Sequence, residues 1–262
     1  MDHELWTSMK QIPNLFTLLN LVFGCLAIVF ILQTGETIIV MSNGEAAQVT
    51  LPEKITWGSY FIFAAALIDF LDGFVARLFK ATSEMGKQLD SLADVVSFGV
   101  APGLILYQLL RISYAQQENG LDVSFTWLLP AFLIPCAAAW RLAKFNLDNG
   151  QQLSFKGVPT PAVGLVVASL PLLIWYQSLG LQQLFINKWL LYAIIFLLSY
   201  LMVSNLVLMS LKIKDYSFAS NWPRYILLIA GIAGAVTIGW LAVPLVFILY
   251  VLLSLALKNK IA

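Results

Sequence analysis

The sequence predicts an all-α membrane protein: a polytopic bundle of about eight transmembrane helices with both termini in the cytoplasm. Three observations support this fold class. Hydrophobic residues make up 60% of the 262 positions and charged residues only 11%, whereas soluble domains carry about 25% charged residues. Long apolar runs recur along the chain, and lysine and arginine gather in alternate loops between them. With a net charge of +1 and no basic block, no nucleic-acid partner is expected.

Eight runs reach or approach the roughly 20 apolar residues that a spanning helix needs. In chain order they cover 15–33, 57–79, 89–111, 125–147, 157–178, 188–211, 223–241 and 243–257. The last two runs are separated only around Val243 and Pro244, which predicts a tight helical hairpin. No internal repeat or low-complexity linker divides the chain, so a single domain over 1–262 is predicted.

Three further features of the sequence bear on the structure but not on the function. The first run follows the polar leader 1–14 without a small-residue cleavage site, so it is predicted to be a retained helix and not a signal peptide. In the loop 35–56, Asn43–Gly44 between β-rich flanks is typical of a hairpin turn. Cys25 and Cys136 lie in apolar runs without metal-ligand spacing, and they are expected to be small buried side chains.

The orientation follows from lysine and arginine, because loops rich in these residues stay in the cytoplasm. With eight spans, twelve of the fifteen cations fall on one side and three on the other. The larger group is Lys10, Arg77, Lys80, Lys87, Arg141, Lys144, Lys156, Lys212, Lys214, Arg224, Lys258 and Lys260, and the smaller is Lys54, Arg111 and Lys188. Both termini and the segments 77–90 and 141–156 are therefore predicted to be cytoplasmic, in a multi-pass protein of the cell (cytoplasmic or inner) membrane.

Four aspartates lie beside apolar runs within residues 69–94, where an ionised side chain in the bilayer costs about 2.5–3.5 kcal/mol. Helical spacing places them on two stripes. The first stripe is Asp69, Asp72, Gly73, Ala76 and Arg77, and the second is Gly86, Asp90 and Asp94. Because 80–87 is a short turn, the two helices are antiparallel neighbours. The four carboxylates are therefore predicted to converge just inside the cytoplasmic membrane surface.

This carboxylate cluster suits a pair of Mg²⁺ or Mn²⁺ ions, which prefer hard oxygen ligands and would neutralise all four formal charges. Such ions commonly act on phosphate by clamping the attacking and leaving oxygens. Gly73, Ala76 and Gly86 lack bulk, so a ligand could approach the backbone, and Arg77 offers a forked donor for phosphate. A structural cluster or the acidic proton relay of a transporter remains open as an alternative.

The pattern Asp69-x2-Asp72-Gly73-x2-Ala76-Arg77-x8-Gly86-x3-Asp90-x3-Asp94 has all eight fixed positions of the signature of the CDP-alcohol phosphatidyltransferases, and the chain resembles that family. The resemblance is strongest over 12–165, through IPNLFTLLNLVFG (12–24), DSLADVVSFGVAPGLILY (90–107), RLAKFN (141–146) and GVPTPA (157–162). It implies a six-helix family core followed by two further helices, and a homodimer. Within the family the chain looks like the bacterial members whose acceptor is serine.

The resemblance implies a reaction in the membrane lipid. The serine hydroxyl would attack the phosphorus bonded to the diacylglycerol of CDP-diacylglycerol, giving phosphatidylserine and CMP. Asp69 and Asp90 would bridge two ions, Asp72 would hold the first, and Asp94 would hold the second and accept the hydroxyl proton as general base. The residues implied to bind CDP-diacylglycerol are Asn14, Thr17, Gly73, Ala76, Arg77, Ser83 and Gly86.

The acceptor pocket is assigned to Arg141, Asn146 and Ser97. A guanidinium at Arg141 could hold the serine carboxylate bidentately, and Ser97, one turn beyond Asp94, could line the pocket or bond to its own helix backbone. Asn14 could equally be the N-cap of the first span. Ser83, on sequence alone, is an ordinary polar loop residue.

Three other functions remain possible at this point. A sister transferase would use glycerol 3-phosphate or inositol phosphate, but a phosphate-bearing acceptor should need more cations than Arg141 and Lys144. A transporter with an acidic relay should show inverted halves and interrupted helices, which the sequence does not show. A pseudoenzyme that only binds lipid would not need all four aspartates.

Overall fold

A computed structural model of the chain describes residues 12–33, 35, 37–42, 45–50, 54–78, 83–116, 123–147, 155–176, 180–209 and 218–257. Most of this described part is helical. In chain order its helices are α1 (Ile12–Leu32), α2 (Ile55–Leu78), α3 (Glu84–Val95), α4 (Ala101–Ala115), α5 (Leu133–Leu147), α6 (Thr160–Tyr176), α7 (Gln182–Ile186), α8 (Lys188–Val203), α9 (Phe218–Ile238) and α10 (Ala242–Ala256). Residues 1–11 of the polar leader lie outside the described residues.

Several helical segments are long and apolar enough to cross a membrane. They are Pro13–Leu32, Ile55–Val75, Glu84–Ala115, Phe125–Leu147 and Asn221–Ala256, and the shorter apolar helices are α6 and α8. The predicted multi-pass helical bundle is therefore confirmed. The boundaries differ: the third span begins at Glu84 and not at 89, and the run predicted over 188–211 is helical only to Val203.

The last two apolar runs form α9 and α10, which pack against each other. The break between them is a 3-10 turn at Gly239–Leu241, where Gly239 has a φ of 57°. Glycine adopts this left-handed backbone without steric cost, so the chain can turn there. The predicted break at Val243 and Pro244 is wrong, since both lie in the first turn of α10, where proline sacrifices no helical hydrogen bond.

Small strand pairs in the described residues depart from a purely helical fold. β1 (Thr37–Ser42) pairs with β2 (Glu45–Thr50) in antiparallel register, as the hairpin pattern predicted. The turn residues 43–44 lie outside the described part. β3 (Phe155–Lys156) pairs with β4 (Val207–Leu208), which the sequence did not predict. This second pair joins the segment before α6 to the segment after α8, so these two helix ends lie on the same side of the bundle.

A π-helical turn, Val96–Val100, joins α3 to α4 within one continuous span. Phe98 in this turn is fully buried. At Gly24 of α1 a Cβ would collide with Ser97 Oγ, so the glycine allows α1 to approach the turn closely. Single π turns inside helices are frequent at functional sites, and this one follows directly after Asp94.

The outer surface of the bundle is apolar. On α1, for example, Leu15, Val22 and Val29 are each more than half exposed. Cys25 and Cys136 are also exposed, so the expectation that they are buried is wrong. In a membrane protein an apolar run has hydrophobic surroundings on every side, because lipid is as apolar as the interior. Apolar neighbours in sequence therefore do not distinguish an inward face from a lipid-facing one.

Candidate functional site

Three of the four aspartates meet between α2 and α3. One carboxylate oxygen from each of Asp69, Asp72 and Asp90 lies within 4.8 Å of the others, and we call these residues the triad. The carboxyl groups of Asp69 and Asp90 are within hydrogen-bonding distance. The two predicted stripes thus face each other at these residues. Carboxylate oxygens at such spacing form the hard donor set that Mg²⁺ and Mn²⁺ prefer, so the triad could hold a divalent cation.

Asp72 is held in place from two directions. Thr17 Oγ1 of α1 donates a hydrogen bond to Asp72 Oδ2 at 2.9 Å, and both residues are buried. The backbone N–H of Gly73 also donates to this carboxylate. Among the described residues, no heavy atom lies within 4 Å of the position that a Cβ on Gly73 would take. The described residues therefore leave the space beside Gly73 open, as the predicted approach of a ligand to this backbone requires.

Asp94 lies outside the triad but within its electrostatic range. Its side chain is buried, with 6% exposure. Asn20 Nδ2 of α1 donates to Asp94 Oδ1 at 3.4 Å. Sequence reasoning missed Asn20. The available signal was its position three residues after Thr17, which places both polar side chains on one face of an otherwise apolar helix.

The start of α3 lies against the start of α1. Ser83 is the N-cap of α3, because the Gly86 N–H donates to Ser83 Oγ at 2.9 Å. A Cβ on Gly86 would lie 3.0 Å from Asn14 Oδ1 and 3.1 Å from Ser83 Oγ. Side chains therefore fill the space that was predicted to admit a ligand at Gly86. Asn14 lies inside α1, which begins at Ile12, so it is not the N-cap of the first span.

Ala76 and Arg77 belong to α2, but their side chains lie outside the described part of the structure. The predicted contacts of these two residues with phosphate stay predictions. Lys80, which lies between α2 and α3 in the sequence, is also outside the described residues.

Arg141 of α5 interacts electrostatically with Asp94. Its Nη1 donates to Thr160 Oγ1 of α6 at 3.1 Å. Its Nε is buried and has no hydrogen-bond partner among the described residues. Tyr250 of α10 lies within electrostatic range of the same guanidinium. A cation with an unused donor therefore lies within electrostatic range of the one aspartate that is outside the triad.

The other two residues predicted for the acceptor pocket bond to neighbouring helices. Asn146 Nδ2 donates to Ser91 Oγ of α3 at 2.9 Å. Ser97 Oγ donates to the backbone oxygen of Asn20 at 3.1 Å and not to its own helix. These bonds tie α3 to α5, and the π turn to α1. Among the three predicted residues, Arg141 is the one that interacts with Asp94.

An apolar cavity of about 580 Å³ lies between α2, α6 and the α9–α10 hairpin. Its lining includes Phe63, Ala162, Gly231 and Tyr250. Tyr250 also lies within electrostatic range of the Arg141 guanidinium, which links one residue of the cavity wall to the cation that interacts with Asp94. The volume falls within the roughly 300–1,000 Å³ typical of small-molecule pockets.

With this geometry in view, the comparison with known families is decisive. The family model described as CDP-alcohol phosphatidyltransferase matches residues 10–258. The chain belongs to the CDP-alcohol phosphatidyltransferase family. The resemblance seen in the signature of eight fixed positions is thereby confirmed, and the match extends past residue 165 through both distal helices.

Individual relatives show which kind of family member the chain is similar to. The chain is 31% identical over 185 residues to a CDP-diacylglycerol–serine O-phosphatidyltransferase of Bacillus subtilis (strain 168), covering 69% of this chain and 89% of that protein. A protein of the same name from Helicobacter pylori (strain ATCC 700392 / 26695) is 31% identical over 199 residues, with coverages of 74% and 70%. The archaetidylserine synthase of Methanothermobacter thermautotrophicus is 28% identical over 182 residues, with coverages of 69% and 66%.

Proposed function

We propose that this protein transfers the phosphatidyl group of CDP-diacylglycerol to the hydroxyl of L-serine, giving phosphatidylserine and CMP. The observation that carries the proposal is the meeting of the triad beside Asp94 and Arg141. The names of the relatives support serine as acceptor.

The acidic side chains fit a pair of divalent cations, Mg²⁺ or Mn²⁺. Asp69, Asp72, Asp90 and Asp94 would hold these ions through their carboxylate oxygens. When bound, these ions would offset the negative charge on the attacking and leaving oxygens of the diphosphate. Thr17 keeps Asp72 oriented toward the site through its 2.9 Å hydrogen bond.

Asp94 is assigned as the general base. It accepts the proton of the serine hydroxyl while the hydroxyl oxygen forms a bond to the phosphorus, and CMP leaves with the electrons of the broken P–O bond. Burial and the hydrogen bond from Asn20 restrict its side chain to one orientation. Positioning of the hydroxyl against the phosphorus would then supply a large share of the rate.

The donor is assigned to the side of the triad formed by α1 and the facing ends of α2 and α3. Open space over Gly73 leaves room for a phosphate. Asn14 and Ser83 lie together at the starts of α1 and α3, where a nucleotide arriving from the cytoplasm would enter. The full assigned set is Asn14, Thr17, Gly73, Ala76, Arg77 and Ser83, and Gly86 is left out because Asn14 and Ser83 fill the space beside it.

The acceptor is assigned to the opposite end of α3. Arg141 would bind the serine carboxylate, since its buried Nε needs an acceptor. Asn146 and Ser97 would shape the pocket through their bonds to α3 and α1. The apolar cavity beside Tyr250 is assigned to an acyl chain of the lipid donor, because its lining is hydrocarbon and Tyr250 lies within electrostatic range of Arg141.

The proposed topology has eight crossings in one domain over 1–262, a cytoplasmic active site and cytoplasmic termini in the cell (inner) membrane. The break at Gly239 supports two crossings in the distal segment, and the β3–β4 pair supports a common side for the start of α6 and the end of α8. Family analogy supports a homodimer.

The test is CMP release by purified protein with Mn²⁺ or Mg²⁺ and CDP-diacylglycerol, offered serine, glycerol 3-phosphate and inositol phosphate in turn. We expect release that depends on serine. Release with a phosphate-bearing acceptor alone would identify a sister transferase, and the absence of release with every acceptor would refute a transferase.

A further inference from the structure

We propose that Asn20 forms the subsite for the ammonium group of the acceptor amino acid, an inference that rests on the proposed transfer to serine. Asn20 is fully buried in α1. Its Nδ2 donates to Asp94 Oδ1, while its Oδ1 is buried without a hydrogen-bond partner in the described part of the chain. As the proposed general base, Asp94 must be ionised to accept a proton, and a carboxylate can only accept hydrogen bonds, so the amide NH₂ faces Asp94 and the carbonyl oxygen is left over.

Two unmet hydrogen-bonding groups of opposite kind therefore belong to residues that interact with Asp94. Asn20 presents an acceptor without a donor, and Arg141 Nε is a donor without an acceptor. Both residues interact with Asp94. Buried polar groups are nearly always paired, so each unpaired atom indicates a missing partner.

An α-amino acid with a hydroxyl on its β-carbon supplies both missing partners. Its carboxylate accepts from Arg141, its ammonium group donates to Asn20 Oδ1, and its hydroxyl donates to Asp94. Three contacts around one tetrahedral carbon would orient the hydroxyl for attack. Acceptors that lack either charged group would leave one buried atom unpaired, which is a strong basis for rejecting them.

Gln108 of α4 provides a control in which a buried amide lies far from Asp94. It is also a buried amide: its Nε2 donates to the Ile31 backbone oxygen at 3.4 Å, and its Oε1 has no partner among the described residues. Ile31 lies about 16 Å along α1 from Asn20. Gln108 therefore serves as a matched control for the loss of a buried amide.

The experiment compares kcat/KM for L-serine and for 3-hydroxypropionate, which is serine without its amino group. We expect the wild-type protein to prefer serine strongly, and Asn20→Ala to reduce this preference by about 10- to 100-fold. Any weakening of Asp94 as a base affects both acceptors equally, so the ratio isolates the contact with the ammonium group. Gln108→Ala should keep the wild-type ratio.

A second pair of acceptors checks the assignment. Arg141→Ala should reduce the preference for serine over ethanolamine, which lacks the carboxylate, and should leave the preference over 3-hydroxypropionate intact. If Asn20→Ala turns over too slowly to assay, the same preference is taken from the dissociation constants of the two acceptors. If it does not fold, Asn20→Ser replaces it.

An unchanged preference for serine over 3-hydroxypropionate in the Asn20 variant overturns the ammonium subsite and leaves the proposed transferase intact. Wild-type protein that releases no CMP with serine refutes the proposed function and, with it, this subsite. The two failures are therefore distinguishable.

Discussion

The acidic site between α1, α2 and α3 and the apolar cavity between α2, α6 and the distal hairpin share a helix but are built differently. In the acidic site, directional bonds hold the side chains, as with Thr17 on Asp72 and Asn20 on Asp94. In the cavity, shape comes from missing bulk: a Cβ at Gly231 would meet no heavy atom of the described residues within 4 Å. We therefore expect changes in the first region to alter rate and acceptor binding, and changes in the second to alter only which lipid is preferred.

The largest expected effect is at the triad. Asp90→Asn keeps the shape of the side chain but removes a carboxylate that faces Asp69, and we expect turnover to fall by about 10³-fold or more. CMP release with serine measures it. Glu84→Gln, the same kind of change at the exposed start of α3, should retain full activity. Near-normal turnover in Asp90→Asn would contradict the metal site.

The acceptor side should show a smaller effect that is confined to one substrate. Arg141→Ala removes a guanidinium near Asp94, and we expect the KM for serine to rise by about 10- to 100-fold. The KM for CDP-diacylglycerol should change little. Lys144→Ala is the control, because Lys144 is exposed and donates to Asn205 at 2.8 Å. An equal rise in both KM values would place Arg141 on the donor and not on serine.

The hydrogen bond from Thr17 to Asp72 tests whether a fixed orientation of Asp72 is needed for turnover. Thr17→Val keeps the shape of the side chain but removes the donor to Asp72, and we expect kcat to fall by about tenfold. Thr237→Val is a matched change on α9, where Thr237 donates to its own helix at Ala233. It should leave kcat unaltered. If both variants lose activity equally, the bond to Asp72 has no special role.

The smallest effect should come from the cavity. Gly231→Leu places a side chain in a space lined by hydrocarbon, and we expect a several-fold shift of kcat/KM toward CDP-diacylglycerol with shorter acyl chains. Activity on the preferred chain length should stay within about threefold of wild type, since no polar contact is lost. Ala233→Leu, on an exposed position of the same helix, should not shift the preference. An unshifted preference in Gly231→Leu would remove the acyl chain from this cavity.

These regions also differ in how far they could be predicted from the sequence. The stripes bearing the triad were visible because helical periodicity depends only on neighbours along the chain. The position of Arg141 at the end of a span made it a candidate site residue, but the sequence did not predict its hydrogen bond to Thr160. The cavity was invisible, because glycine and alanine in an apolar run look the same whether they line a pocket or face lipid. The break at Gly239 was also missed, because Pro244 was the stronger local signal for the end of a helix.

Composition and the spacing of residues along the chain were enough to predict a membrane-embedded helical protein with an acidic cluster, because both depend on neighbours along the chain, and the resemblance to a known signature indicated the family. Which polar atoms are left without partners, and which helices enclose the cavity, emerged only when distant segments were packed together. Asn20 and Asp94 are 74 residues apart, and their contact depends on how α1 crosses α3. No local pattern encodes that crossing, because it results from the summed packing of every helix in the bundle.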